Sequence, residues 1–251
     1  VLSSVLQSNQ STEKKIGIAM PGPFDYENGI SLIEDQDKFK LLYKINIKNN
    51  LADRLCIPSD CIRFMNDASC FLQGEVFGGA AQNYNPVLGL TLGTGLGSAF
   101  CKEGIAQDAD LWNSPFREGI AEDYLSTRWF VGRYGELTGR TISGVKELME
   151  TETSTTIRET LFQEFSENLA LFLIPQIQKF SAEAVVFGGN ISNAFAFFQP
   201  ALEASLREGN SNVVLKRAIL NEDASLLGAA SCWSLVDVAK ETKEVPHVSR
   251  T

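Results

Sequence analysis

The chain has 251 residues and a formal net charge of −9, from 22 Lys and Arg against 31 Asp and Glu. Apolar residues make up 44% and charged residues 21%, a globular composition that excludes disordered and fibrous classes. The acid excess argues against nucleic acid as a partner, because that grip needs clustered Lys and Arg. The single histidine, His247, excludes a His-rich metal site and speaks against Ser-His-Asp hydrolysis.

The first ten residues carry no basic region ahead of an apolar stretch, so no signal peptide is expected. No run approaches the ~18 apolar residues needed to span a membrane. The five cysteines (Cys56, Cys61, Cys70, Cys101 and Cys232) are odd in number and form no C-x-x-C pair. They are expected as buried free thiols of a cytoplasmic protein.

In chain order, residues 14–20 (KKIGIAM) read as a strand stopped by Pro21-Gly22-Pro23. Residues 24–42 look irregular, and 46–55 carry helical spacing. A short apolar strand at 62–65 runs into a helix at 67–77, with Gly78-Gly79 at its end. Strands at 86–92 and 96–101 flank a glycine-rich turn. An amphipathic helix is predicted over 121–137, and a long helix to about 180 with a kink at Pro175. A buried strand at 184–187, a helix at 194–207, a strand at 213–220 and a helix at 223–240 complete the series. Such alternation predicts α/β layers with helices on the sheets. The polar stretch Asn83–Pro86 is the expected boundary between a small domain (1–84, with a C-terminal helix from 235–251) and a larger one (85–234).

Three segments bear chemistry. Gly93-Thr94-Gly95-Leu96-Gly97 lies between two strands, where successive amides can form a nest for phosphate, although a plain hairpin is the other reading. Asn66-Asp67 closes a strand and opens a helix. There Asp67 is either a helix cap or a general base at the strand end, where open sheets place ligands. Gly188-Gly189 ends another strand, offering a backbone surface to a nucleotide or merely a strand end.

Together, Gly17-Ile18-Ala19-Met20-Pro21-Gly22-Pro23, Asn66-Asp67-Ala68, Leu92-Gly93-Thr94-Gly95, Phe187-Gly188-Gly189 and Leu226-Leu227-Gly228-Ala229-Ala230 resemble the ROK family of bacterial sugar kinases and sugar-responsive repressors in order and spacing. The resemblance covers residues 14 to about 239. It implies the actin-like ATPase (ribonuclease H-like) fold, with two α/β domains around a cleft. It also implies a kinase using ATP and Mg²⁺ on a hexose or N-acetylhexosamine, with a homodimer expected. By the same resemblance Asp67 is the catalytic base and Asn66 a sugar ligand. Gly93, Thr94, Gly95 and Gly97 serve the phosphates, and Gly188 and Gly189 the adenosine. Glu122, in Glu122-Asp123-Tyr124-Leu125-Ser126, is a candidate sugar ligand, though a helix-start acid is equally natural there.

Departures from the family pattern carry information too. The opening Asp-x-Gly-Gly-Thr hairpin is missing and the chain does not begin with Met. Either the chain starts about a hairpin and a helix late, or the protein lacks that element. The family's Glu-x-x-His segment has its nearest match in Asp110-Leu111-Trp112-Asn113, so Asp110 and Asn113 are candidate sugar ligands. The cysteine-rich zinc loop is replaced by a short stretch from Ser114 to Ala121, and no zinc is expected. The acidic stretch Glu103–Asp110 and the aromatics Trp112, Phe116 and Trp129 suit part of a sugar cleft, although core packing is the other use of the aromatics. The alternative to a kinase is a sugar-binding regulator or non-catalytic relative.

Overall fold

The computed structural model describes residues 14–34 and 39–234. His247 and the expected helix at 235–251 lie outside the described residues. Strand β1 (Ile16–Met20) leads through two short strands, β2 (Phe24–Asp25) and β3 (Ile30–Ser31), to helix α1 (Ile47–Leu55) and strand β4 (Ile62–Asn66). Asn46 starts α1 by accepting a hydrogen bond from the Asn49 amide at 2.8 Å. β1 and β4 pair in parallel, with Met20 opposite Asn66. Their alternate apolar residues, among them Ile16, Met20, Ile62 and Phe64, form one core with Phe24 and Ala52.

Helix α2 (Asp67–Gly78) crosses to the second unit. There β5 (Val87–Leu92), β6 (Leu96–Lys102) and β7 (Ile105–Asp108) are followed by a hairpin of β8 (Pro115–Phe116) and β9 (Gly119–Ile120). Next come helices α3 (Ala121–Leu125), α4 (Thr127–Thr138), α5 (Val145–Thr151) and α6 (Thr155–Phe180), then β10 (Ala184–Gly188), α7 (Phe195–Glu208), β11 (Val214–Arg217) and α8 (Glu222–Ser231). The sheet order is β11-β10-β5-β6-β7, with β11, β10 and β5 parallel.

β10 reads Ala-Val-Val-Phe-Gly and is buried throughout, the pattern of a strand covered on both faces. Leu88, Leu90, Leu92, Val185 and Phe187 meet α6 and α7 on one face, through residues such as Phe165, Leu169 and Phe198. Val87, Ala184 and Val186 meet Phe71, Leu72 and Ala224, from α2 and α8, on the other.

The predicted helix at 121–137 breaks at Ser126, which takes an extended conformation and separates α3 from α4. The long helix runs on through Pro175 to Phe180. β7, the β8–β9 hairpin and α5 are too short to leave a periodic trace and escape the sequence reading. The predicted strand at 213–220 stops at Arg217, because Glu75 takes the next amides. This wholly buried carboxylate accepts from Ile219 N (3.1 Å), Leu220 N (2.9 Å) and Ala80 N (2.7 Å). Glu75→Ala leaves three N–H groups without their partner, and about 3 kcal/mol or more of stability should be lost. A lower urea midpoint at unchanged m-value would show it.

Three thiols are buried as expected. Burial pushes Cys70 up to about 12 and Cys101 up to about 11, and raises Cys232. Cys56 is exposed and Cys61 half-buried, contrary to expectation: Cys56 is the left-handed C-cap of α1, and Cys61 ends the turn that leads into β4.

Candidate active site

β4 delivers Asn66 and Asp67 to the C-terminal end of the small sheet. Asn66 is the residue that caps α2: its side-chain oxygen accepts from Ser69 N at 3.0 Å. This overturns the reading of Asp67 as the cap. Asp67 is the first residue of the helix, and its carboxylate accepts from the neighbouring Ala68 N at 2.9 Å. Its side chain is open to solvent on one side, yet the protein mass around it desolvates the charge and raises its pKa.

Both N–H bonds of the Asn66 amide are engaged. Besides the cap, its nitrogen donates to Tyr26 Oη (3.3 Å) and to Asp108 Oδ2 (2.9 Å). Tyr26, pushed up to about 12 mainly by burial, stays a neutral phenol and donates to the Met20 carbonyl at 3.1 Å. Asp108, at the end of β7, also accepts from Asp110 N at 2.9 Å. Burial among its neighbours raises its pKa, and the charges of Asp110 and Asp67 add to the shift.

The glycine turn sits beside this cluster. A Cβ on Gly97 would collide with the Thr91 hydroxyl and stand 3.2 Å from Ala68 Cβ, so only glycine lets β6 lie against the first turn of α2. The turn itself is braced from outside. Thr127 donates to the Gly93 carbonyl through its amide (2.8 Å) and hydroxyl (2.9 Å). Glu122 accepts from Leu96 N at 3.0 Å and pairs with Arg128. A Cβ on Gly93 would meet nothing within 4 Å, and Thr94 is exposed, which leaves that backbone face open.

Gly188 and Gly189 have packing reasons of their own. A Cβ on Gly188 would strike the Phe71 ring. Gly189 has φ +80° and lies against the Leu92 carbonyl, at the foot of the same turn.

The structure therefore gathers Asn66, Asp67 and Asp110 near Asp108, and Gly93, Thr94, Gly95, Gly97, Glu122 and Gly189 around the turn. Asn113 is exposed and makes no side-chain hydrogen bond among the described residues. Phe116 packs edge-on to Tyr124 and Phe172, and Trp129 against Phe130 and Phe165, so both rings serve the core. Tyr26 escaped the sequence reading, which holds Asp108 only as one acid of the stretch Glu103–Asp110. Asp108 stands 42 residues from Asn66, and no local pattern singles it out within that stretch.

The model of the ROK family matches residues 2–109 and 117–235. The chain belongs to the ROK family. The curated relatives it matches include sugar kinases. One is the N-acetyl-D-glucosamine kinase of Mannheimia succiniciproducens, 26% identical over 87% of this chain and 80% of the relative. Another is the beta-glucoside kinase of Listeria innocua, 25% identical over 85% and 77%. Among solved structures, a ROK glucokinase from Streptomyces griseus in complex with glucose and AMPPNP superposes with a TM-score of 0.70 at 21% identity, covering 87% of this chain and 81% of that one. A ROK protein from Streptococcus pneumoniae in complex with sucrose gives 0.75 at 19% identity, covering 95% and 86%. The fold is the actin-like ATPase fold of ROK sugar kinases.

Among the described residues, no cluster of three or more His, Cys, Asp or Glu side chains could hold a metal ion. None of their helices is long and apolar enough to cross a membrane.

Proposed function

We propose that this chain is an ATP-dependent sugar kinase acting on a hydroxyl of a hexose or N-acetylhexosamine, with Asp67 as general base. The observation that carries the reading is the contact of Gly97 with Ala68, which sets a backbone turn suited to phosphates beside the open carboxylate of Asp67. Asp67 takes the hydroxyl proton. The oxygen forms a bond to the γ-phosphorus of ATP, the bond to the β–γ bridging oxygen breaks, and ADP leaves. The backbone of 93–97 holds the phosphates through its unspent amides, the Leu96 amide being taken by Glu122 and that of Gly93 by the Gly95 carbonyl, and the backbone at Gly188-Gly189 takes the adenosine. Mg²⁺ carried with the nucleotide supplies charge neutralisation at the phosphates. Glu122 and Arg128 act from behind, keeping the turn in shape. A homodimer in the cytoplasm belongs to the same reading.

A screen of hexoses and N-acetylhexosamines by thermal shift and by ADP release tests it. At least one sugar should raise Tm by mass action and release ADP with ATP and Mg²⁺. Binding without turnover would place the chain with non-catalytic sugar binders, and neither response would refute the reading.

The pH profile follows from Asp67. The base must be ionised, and its surroundings hold its pKa above the ordinary carboxylate value. Turnover should therefore fall on acidification at a higher pH than an exposed aspartate would impose. Stability runs the other way. The native chain holds this proton more tightly than the unfolded chain, so the contribution of Asp67 to stability declines as pH rises through that window. A kcat–pH series beside a melting series checks both signs.

A further inference from the structure

The amide of Asn66 has no donor left to offer a ligand. Its oxygen takes Ser69 N, and its two N–H bonds go to Tyr26 and Asp108. The nearest group with unused capacity is the Asp108 carboxylate. Each of its oxygens accepts one protein hydrogen bond, Oδ2 from Asn66 and Oδ1 from Asp110 N. An ionised carboxylate offers about four lone-pair sites, so about two remain.

We infer that Asp108 is a sugar-binding residue, accepting a hydroxyl next to the one that Asp67 deprotonates. This rests on the kinase reading above and specifies its substrate site.

Four observations support it. Asp108 ends β7 on the five-stranded sheet, whereas Asn66 ends β4 on the two-stranded one, so their 2.9 Å bond joins the mouths of the two units at the base. The carboxylate is exposed on its open side. The backbone bends to hold it: Asp110 adopts φ +48°, unusual for a residue with a side chain, and from there its amide reaches Oδ1. Finally, its charge stands in an unfavourable setting, close to the charges of Asp67 and Asp110 and partly desolvated. Such arrangements are concentrated at functional sites.

The chemistry also bounds the substrate. The carboxylate of Asp108, with the charges of Asp67 and Asp110 near enough to act on it, accepts hydrogen bonds from hydroxyls and repels anions. The sugar is a neutral polyol with two neighbouring hydroxyls, and a uronate or sugar phosphate is rejected.

The test uses D-glucose, N-acetyl-D-glucosamine and N-acetyl-D-mannosamine, with their monodeoxy analogues. ADP release and calorimetric binding are read for wild type, Asp108→Ala and Asp108→Asn. With the accepted sugar, Asp108→Ala should weaken binding about 10- to 100-fold, the worth of a hydrogen bond to a charged group. It should also cease to distinguish that sugar from the analogue lacking the contacted hydroxyl. Asp108→Asn keeps an acceptor for Asn66 without the charge and should fall between. It carries the same comparison if the alanine variant fails to fold. An active wild type whose Asp108 variants bind and discriminate unchanged overturns the Asp108 role alone. So does a loss of binding with the deoxy discrimination intact, which is the signature of a merely structural aspartate. A wild type that neither binds nor turns over any of these sugars overturns the kinase reading, and the Asp108 role with it.

Discussion

Asp67→Asn is expected to lower kcat by about 10²- to 10⁴-fold, the usual contribution of a positioned general base. Sugar affinity should stay within about threefold. Asparagine has the shape of aspartate and can still accept from Ala68 N, as the native carboxylate does. It cannot take a proton at any working pH. The residue does not cap α2, a task done by Asn66, so the substitution leaves the helix start intact. It also removes a partly desolvated charge, so the variant should melt no lower than wild type at neutral pH. A coupled ADP assay at saturating ATP and calorimetry with the accepted sugar give the two numbers. An unchanged kcat would end the assignment of Asp67.

The largest stability effect is expected at Gly228. α8 crosses α2 so closely that a Cβ at this position would run into the Cys70 carbonyl, and one at Gly74 into the Ala224 carbonyl. The obstacle is backbone on both sides, with no flexible side chain to turn away. Gly228→Ala should cost about 3 kcal/mol or more, the upper range of overpacking, and Gly228→Val should prevent soluble folding. Gly132 is the counterpart. It lies in α4 with nothing within 4 Å of a Cβ, so Gly132→Ala should stabilise by up to about 1 kcal/mol through helix propensity. Urea melts of the two alanine variants should move in opposite directions.

Much of this architecture is legible in the sequence, for physical reasons. β1, β4, β5 and β10 are apolar runs bounded by Pro, Asn or Gly, and their identity is set locally. α1 and α2 announce themselves through cap and stop residues. What the sequence hides is decided at a distance. β11 ends where it does because Glu75, more than 140 residues earlier in the chain, captures its next amides. The roles of Asn66 and Asp67 at the helix start are separable only when Ser69 N is seen to choose Asn66. Attention to Asp110 and Asn113 followed the family's Glu-x-x-His spacing, whereas the carboxylate that reaches Asn66 sits two residues before Asp110. The glycines of Leu226-Leu227-Gly228-Ala229-Ala230 and of 188–189 show the converse. They carry the family's motifs, yet each is also required by a close backbone or ring contact.

The crossing at Gly228 has a bearing on how the protein is made. Gly17, in β1, is pressed against the Ala229 carbonyl of α8, so the first described strand is completed by the last described helix. About 200 residues of synthesis separate the two. While a ribosome extends the chain, β1, β4 and α2 wait with an uncovered small-residue seam, although their local structure is already encoded. The small unit therefore gains its last packing face only once residues 222–231 have emerged, later than an N-terminal domain that folds on its own.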